Sequence, residues 1–152
     1  MCALGAAAAC GSDSGTGPRT TVGGIKYTAR VELVEAGGTA PLLSVVATLT
    51  NTTGAPQMRT YPAGCPVRIL LYRQSDNTLV YDERTRDCAP EPTATVTIDP
   101  LATADLQSGI RFPATVAGDS LPFATYKVRA AVMTEGAKQV LIDAGTYFLT
   151  GS

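Results

Sequence analysis

Ile25-Lys26-Tyr27-Thr28-Ala29-Arg30-Val31-Glu32-Leu33 places Ile25, Tyr27, Ala29, Val31 and Leu33 on one side, and Lys26, Thr28, Arg30 and Glu32 on the other. A period of two is the signature of a β-strand with one buried and one wet face. Ala36-Gly37-Gly38 breaks it. Leu43 to Asn51 repeats it, with Leu43, Val45, Ala47 and Leu49 set against Ser44, Val46, Thr48 and Thr50. Asn51-Thr52-Thr53-Gly54-Ala55-Pro56 then reads as a turn.

The same reading runs on along the chain. Met58 to Tyr61 is expected to be a short edge strand stopped by Pro62. Val67 to Arg73, a Gln74-Ser75-Asp76-Asn77 loop and Thr78 to Asp82 form a hairpin. Thr93 to Ile98, Asp105 to Phe112, Ala124 to Met133 and Gln139 to Leu149 complete the set, with a turn at Glu135-Gly136-Ala137-Lys138. Helical spacing is suggested only over Ala102 to Gln107. The chain is therefore expected to be all-β, an antiparallel immunoglobulin-like β-sandwich of about seven to nine strands. A small barrel is the alternative. Residues 25–149 would be the sandwich domain.

Composition excludes several chemistries. The 152 residues include no histidine and no tryptophan. A Ser-His-Asp triad, a Cys-His dyad or a histidine-ligated zinc cannot be built from this chain. Twelve Lys+Arg against 13 Asp+Glu give a net charge of -1. That balance argues against nucleic acid or an anionic membrane as the main partner. No nucleophile, cofactor or metal motif is found, so no catalytic residue, cofactor or metal ligand is assigned. A small-molecule ligand is not expected. Asp82, Glu83 and Asp87 beside Arg84 and Arg86 read as a solvated, charge-balanced loop. Tyr61, Tyr72, Tyr81 and Phe123 read as core or cross-strand residues rather than a sugar-binding platform. The glycosylation sequon at Asn51-Thr52-Thr53 reads as turn chemistry.

The N-terminus suggests a compartment. Ala7-Ala8-Ala9-Cys10, followed by Gly11-Ser12-Asp13-Ser14-Gly15, resembles the end of a bacterial lipoprotein signal. The reading makes residues 1–9 a truncated signal remnant, Cys10 the lipidated residue and residues 10–24 a flexible tether. The protein would be exported and membrane-anchored in the cell envelope, touching the membrane only through that lipid. In an exported protein Cys65 and Cys88 are most simply a disulfide, worth roughly 3 kcal/mol for a loop of this length. A redox pair or a metal site are the alternatives; neither cysteine sits in a C-x-x-C.

The order of motifs resembles a known family. Leu49-Thr50-Asn51-Thr52-Thr53 ends a strand, and Tyr61-Pro62-Ala63-Gly64-Cys65-Pro66 follows. A hairpin carries Ile69-Leu70-Leu71-Tyr72 and Leu79-Val80-Tyr81. Leu121-Pro122-Phe123-Ala124-Thr125-Tyr126-Lys127-Val128 comes last. Over roughly residues 40 to 135 this is similar to the BsuPI-like family of immunoglobulin-like sandwiches, named after an intracellular proteinase inhibitor. Ala124 and Tyr81 depart from the family pattern, which has Gly and Trp there. The expected function is a surface-anchored protein-binding module, with Tyr61, Pro62, Pro66, Asp76, Asn77, Pro90 and Pro92 on candidate contact loops. The alternative is a proteinase inhibitor presenting the disulfide-bounded loop.

Overall fold

Every alternating stretch folds as an extended strand. The computed structural model describes residues 20–35, 41–86, 93–118, 121–134 and 138–149. Among them lie β1 (Thr20–Val22), β2 (Ile25–Val34), β3 (Leu42–Asn51), β4 (Gln57–Pro62) and β5 (Val67–Arg73). Then come β6 (Leu79–Asp82), a 3-10 turn (Glu83–Thr85), β7 (Thr93–Ile98) and β8 (Thr103–Gln107). A five-residue helix, α1 (Pro113–Ala117), precedes β9 (Thr125–Met133) and β10 (Gln139–Phe148).

All strand pairings are antiparallel. One sheet has the order β1-β2-β3-β8, a second β10-β9-β5-β6, and β4 pairs with β7 in a separate ribbon. With β2, β3 and β8 as strands A, B and E, the second sheet is G-F-C-C′, the immunoglobulin-like arrangement. A detail of that fold is present too. Tyr126, at the start of β9, donates its hydroxyl to the Pro122 carbonyl four residues back (2.5 Å), the tyrosine corner of such sandwiches.

The two sheets bury their apolar faces against each other. Ile25 and Tyr27 of β2, Leu43, Val45 and Leu49 of β3, Ile69 and Leu71 of β5, Tyr126 and Val128 of β9, and Ile142 and Tyr147 of β10 share one core. The alternation read from the sequence is the alternation found except at Leu33, placed on the inward row of β2 and in fact 53% exposed. A second departure is on β3, where Ser44 and Val46 of the expected wet face are also buried. This strand is central, and Gln107 of β8 reaches over to donate to Ser44 (3.3 Å).

The β4–β7 ribbon continues the β3–β8 ladder after a two-residue slip in register, from Thr50↔Thr103 to Gln57↔Ile98. Asn51 holds the bend. Its fully buried amide donates to the carbonyls of Ala55 (2.8 Å), Ile98 (2.9 Å) and Asp99 (3.2 Å). Its oxygen accepts from the backbone and hydroxyl of Thr53 (2.9 and 2.8 Å). The sequon is thus a turn, as read from the sequence, and its amide is wholly used inside the fold.

Three boundaries differ from the sequence reading. Thr20–Val22, expected within the tether, forms β1 against β2, closed by Gly23 and Gly24. Both glycines have positive φ (56° and 78°), as a two-residue hairpin turn of the primed type needs. Ala102 to Gln107 carries no helix; Thr103–Gln107 is β8. The strand expected over Asp105 to Phe112 ends at Gln107, because the Ser108 hydroxyl takes the Val45 amide in place of a ladder carbonyl (2.9 Å). Arg111 then rejoins Leu43 in a single bridge, and Pro113 opens α1. With β1 and the ribbon included, ten strands stand among the described residues where seven to nine were expected.

Candidate interaction face

The outward face of the β10-β9-β5-β6 sheet carries a fixed array of long polar side chains. Register places Leu70 of β5 beside Asp82 of β6 and Arg129 of β9, with Asp143 of β10 beyond. Tyr72 lies next to Lys127 in the following row. Arg129 bonds Asp143 through Nε (2.8 Å) and lays its guanidinium over the Tyr72 ring, 5.1 Å from the centroid. Arg84 grips Asp82 through Nε (2.8 Å) and Nη2 (2.6 Å). Its Nη1 also reaches Gln139 at the start of β10 (3.4 Å), a bond that has to cross β5 and β9. Beneath this lattice Leu70 and Ala131 are fully buried although their register points them outward. The stems of such arginines shield apolar surface while the heads stay wet.

Electrostatics fix the array. The hydrogen-bonded Asp82 carboxylate raises the pKa of Arg84, and Asp143 does the same for Arg129. The reciprocal bond from Arg84 holds the Asp82 carboxyl below its ordinary value. Arg68, Arg84, Lys127 and Arg129 face two carboxylates, Asp82 and Asp143, so the face is positive on a chain whose net charge is -1. Arg129 and Asp143 are 46% and 38% exposed, open enough to meet a partner.

The 3-10 turn anchors the rim. Arg68 Nη1 donates to the carbonyls of Glu83 (3.3 Å), Arg84 (2.9 Å) and Arg86 (3.0 Å), closing the turn's free end. Glu83 corrects the sequence reading, which placed it in a solvated loop. It is buried, accepts from the Ile69 amide through Oε2 (2.8 Å), and is ion-paired through Oε1 with Arg111. Arg111 lies 28 residues on, so spacing gave no hint of the pair; a carboxylate two residues after Tyr81, on the inward side by alternation, was the available signal. Asp82 and Arg84 balance each other as expected, and Arg86 stacks on the Tyr81 ring at 5.5 Å. Asp87 lies outside the described residues.

The residues expected on contact loops do not form one site. Tyr61 is buried in the core, and burial pushes its hydroxyl well above the ordinary phenol range. Pro62 and Pro66 are half-buried, and the Pro66 carbonyl takes the Met133 amide (2.9 Å). Asp76 and Asn77 are exposed, at the other end of the β5–β9 pair. Asp76 is locked to Arg73 (3.0 Å) and to the Thr78 amide (3.0 Å), while Asn77 accepts from Lys127 (2.7 Å). That last bond joins the loop to the outward face. Cys10, Cys88, Pro90 and Pro92 lie outside the described residues. Tyr72 and Tyr81 point to opposite faces of their sheet, so the four aromatics make no platform. Among the described residues no group of three or more Cys, Asp or Glu is placed to hold a metal, and no helix is long and apolar enough to cross a membrane.

No family model matches the chain, and no curated protein matches it. Solved structures resemble it at low identity. The X-ray structure of the structural-genomics target SoR45 is 13% identical with a TM-score of 0.36, covering 86% of this chain and 89% of that one. The apo PCuAC domain of PmoF2 is 12% identical with a TM-score of 0.40, covering 88% and 98%. The copper-bound form of that domain is 16% identical with a TM-score of 0.31, covering 84% and 96%.

Proposed function

We propose that this chain is a non-catalytic binding module, exported and held at a membrane by a lipid on Cys10, which takes a protein partner on the outward face of the β10-β9-β5-β6 sheet. The observation that carries the reading is the lattice of Tyr72, Arg84, Lys127 and Arg129. Tyr and Arg are the residue types that dominate binding energy in protein interfaces, and here their conformations are set before any partner arrives. Preset side chains lose less entropy on binding. The positive face fits an acidic protein surface. Copper is not carried over from the PmoF2 domain, because a likeness at 12% identity and a TM-score of 0.40 carries no ligand.

Capture from envelope extract on the immobilised domain tests the reading. The wild-type domain is expected to retain one specific protein that Arg129→Glu releases. Equal retention by both would remove this face from the proposal. Mass spectrometry of the native protein tests the anchor, with a diacylglyceryl mass expected on Cys10 and absent from Cys10→Ser.

A second reading is a proteinase inhibitor, in line with the BsuPI-like resemblance. Cys65 is disulfide-bonded, which favours the proposed Cys65–Cys88 bridge and a bounded loop between them. A flat titration against a protease panel would dismiss inhibition.

A further inference from the structure

Edge strands expose unpaired backbone groups, and folded proteins blunt them with shortness, bulges or charge. The edges here can be compared one by one. β1 has three residues. β6 has four, ends on Asp82 and pairs with β5 through a register shift. β10 carries a bulge between Asp143 and Gly145, where Gly145 has φ 111°. β8 carries Asp105, tied to Thr48 (2.6 Å). β7 has none of these devices. Thr93-Ala94-Thr95-Val96-Thr97-Ile98 has no charge and no proline, and five of its six residues are β-branched, the three threonines among them. It pairs with β4 on one side only. Among the described residues, no backbone hydrogen bond from Thr93–Thr97 runs anywhere but to β4.

The sequence of β7 says what fits beside it. Thr93, Thr95 and Thr97 point away from the core, on the face that includes Met58. Val96 and Ile98 on the opposite side reach the core, while Ala94 on that side is exposed. The strand is a near-palindrome about Thr95, and an antiparallel copy keeps inward residues opposite inward ones only if the numbers match in parity. A twofold axis at Thr95 meets that rule. It sets Thr95 opposite Thr95, Thr93 opposite Thr97, and Ala94 opposite Val96. Threonine pairs across strands are favourable, and Thr95 already makes one with Thr60 of β4 (3.3 Å). A closed twofold interface needs a self-complementary surface, and an uncharged palindrome provides it.

We propose that β7 is the docking edge for a second copy of this chain, giving a β4-β7-β7-β4 sheet with its twofold axis at Thr95. The pairing does not depend on the outward face of the β10-β9-β5-β6 sheet and leaves that face open in both copies.

Oxidative cross-linking of the full chain tests the register. Opposite residues of an antiparallel pair have Cα atoms about 4.5–5.5 Å apart, within the span a disulfide accepts. Thr95→Cys is therefore expected to give a covalent homodimer under mild oxidation, while Thr93→Cys, whose counterpart is Thr97, is not. A mixture of Thr93→Cys and Thr97→Cys chains should cross-link to each other. In sedimentation the wild type should dimerise as concentration rises, and Thr95→Lys, which sets two like charges face to face, should weaken this by about tenfold or more. Thr95 is exposed, so an unchanged melting curve confirms that Thr95→Lys still folds. A wild type that stays monomeric at every concentration overturns the proposal. So does cross-linking of Thr93→Cys at the same rate as Thr95→Cys.

Discussion

Four tyrosines are fully buried, Tyr27, Tyr61, Tyr126 and Tyr147, and their hydroxyls differ in what they are given. Tyr126 donates to the Pro122 carbonyl (2.5 Å) and Tyr147 to the Pro41 carbonyl (3.0 Å). Each pins a connecting segment to the core by a carbonyl that no strand uses. The Tyr61 hydroxyl is buried with no hydrogen bond of ordinary geometry, its polar neighbour being Tyr27. A buried polar atom without a partner carries its desolvation cost uncompensated. Tyr126→Phe is therefore expected to lower stability by about 1–2 kcal/mol, while Tyr61→Phe changes it little or raises it. Urea denaturation of the two variants checks this; a larger loss for Tyr61→Phe would refute the assignment. The sequence marked Tyr61 as a contact residue because Pro62 follows it in a loop-like run. The same sequence also offered Tyr61 as a core or cross-strand residue, and which reading holds is decided by β7, which folds back on β4 and sets Ala94 opposite Tyr61.

At the scale of elements, the 3-10 turn after β6 and the segment before α1 are joined by Glu83 and Arg111. The pair ties the rim of one sheet to the extension of the other. Removing one member of a buried ion pair strands the other charge, at a cost of about 3–5 kcal/mol. Replacing both by neutral groups costs far less. Of Glu83→Gln, Arg111→Met and the two combined, Arg111→Met should thus be the most destabilising, and the combined variant should recover much of its loss. Additive losses in a double-mutant cycle would show that the two residues act independently. Strands were the most legible elements: Val67–Arg73 and Thr93–Ile98 fall where their alternation places them. β1 was hidden by composition, because Thr20-Thr21-Val22 lies between Gly-rich stretches that read as tether. Gly23-Gly24 between two β-branched runs was the hairpin signal that could have found it. The Ser108–Phe112 stretch was illegible for another reason: a side chain, not a pattern, ends β8.

Across the whole molecule, charge is spent on pairs. Arg30 bonds Glu32 and approaches Asp105 on the first sheet, while Arg84–Asp82 and Arg129–Asp143 span the second. Exposed pairs of this kind contribute little individually, but their pH response is readable. The Arg84 hydrogen bonds hold Asp82 below its ordinary value of 3.8, and the Thr78 amide does so for Asp76. A carboxyl whose folded pKa is depressed contributes stability above the unfolded value, and loses it as pH falls through the folded one. The melting temperature is expected to hold near neutrality and fall below about pH 4, with a shallower fall in Asp82→Asn. An unchanged acid limb in that variant would mean that Asp82 is not among the groups responsible. Fold class was legible at this scale because it rests on alternation alone. The outward face was less so, because the residues that build it come from four strands and only register brings them together.

The chain enters the sandwich through β1, whose three residues are laid back on β2 by the Gly23–Gly24 turn. That geometry has a mechanical consequence. A pull on the chain ahead of Thr20 loads the β1–β2 contacts one after another, as a zipper opens, rather than all together in shear. β1 would peel off first and release three residues, about 10 Å of slack at full extension, while the turn stays held by Thr52 on the Gly24 carbonyl and Arg59 on the Gly23 carbonyl and β2 and β3 stay paired through their ten-residue register. The first strand would then act as a short, rewindable length of leash between the domain and any load on the chain ahead of it.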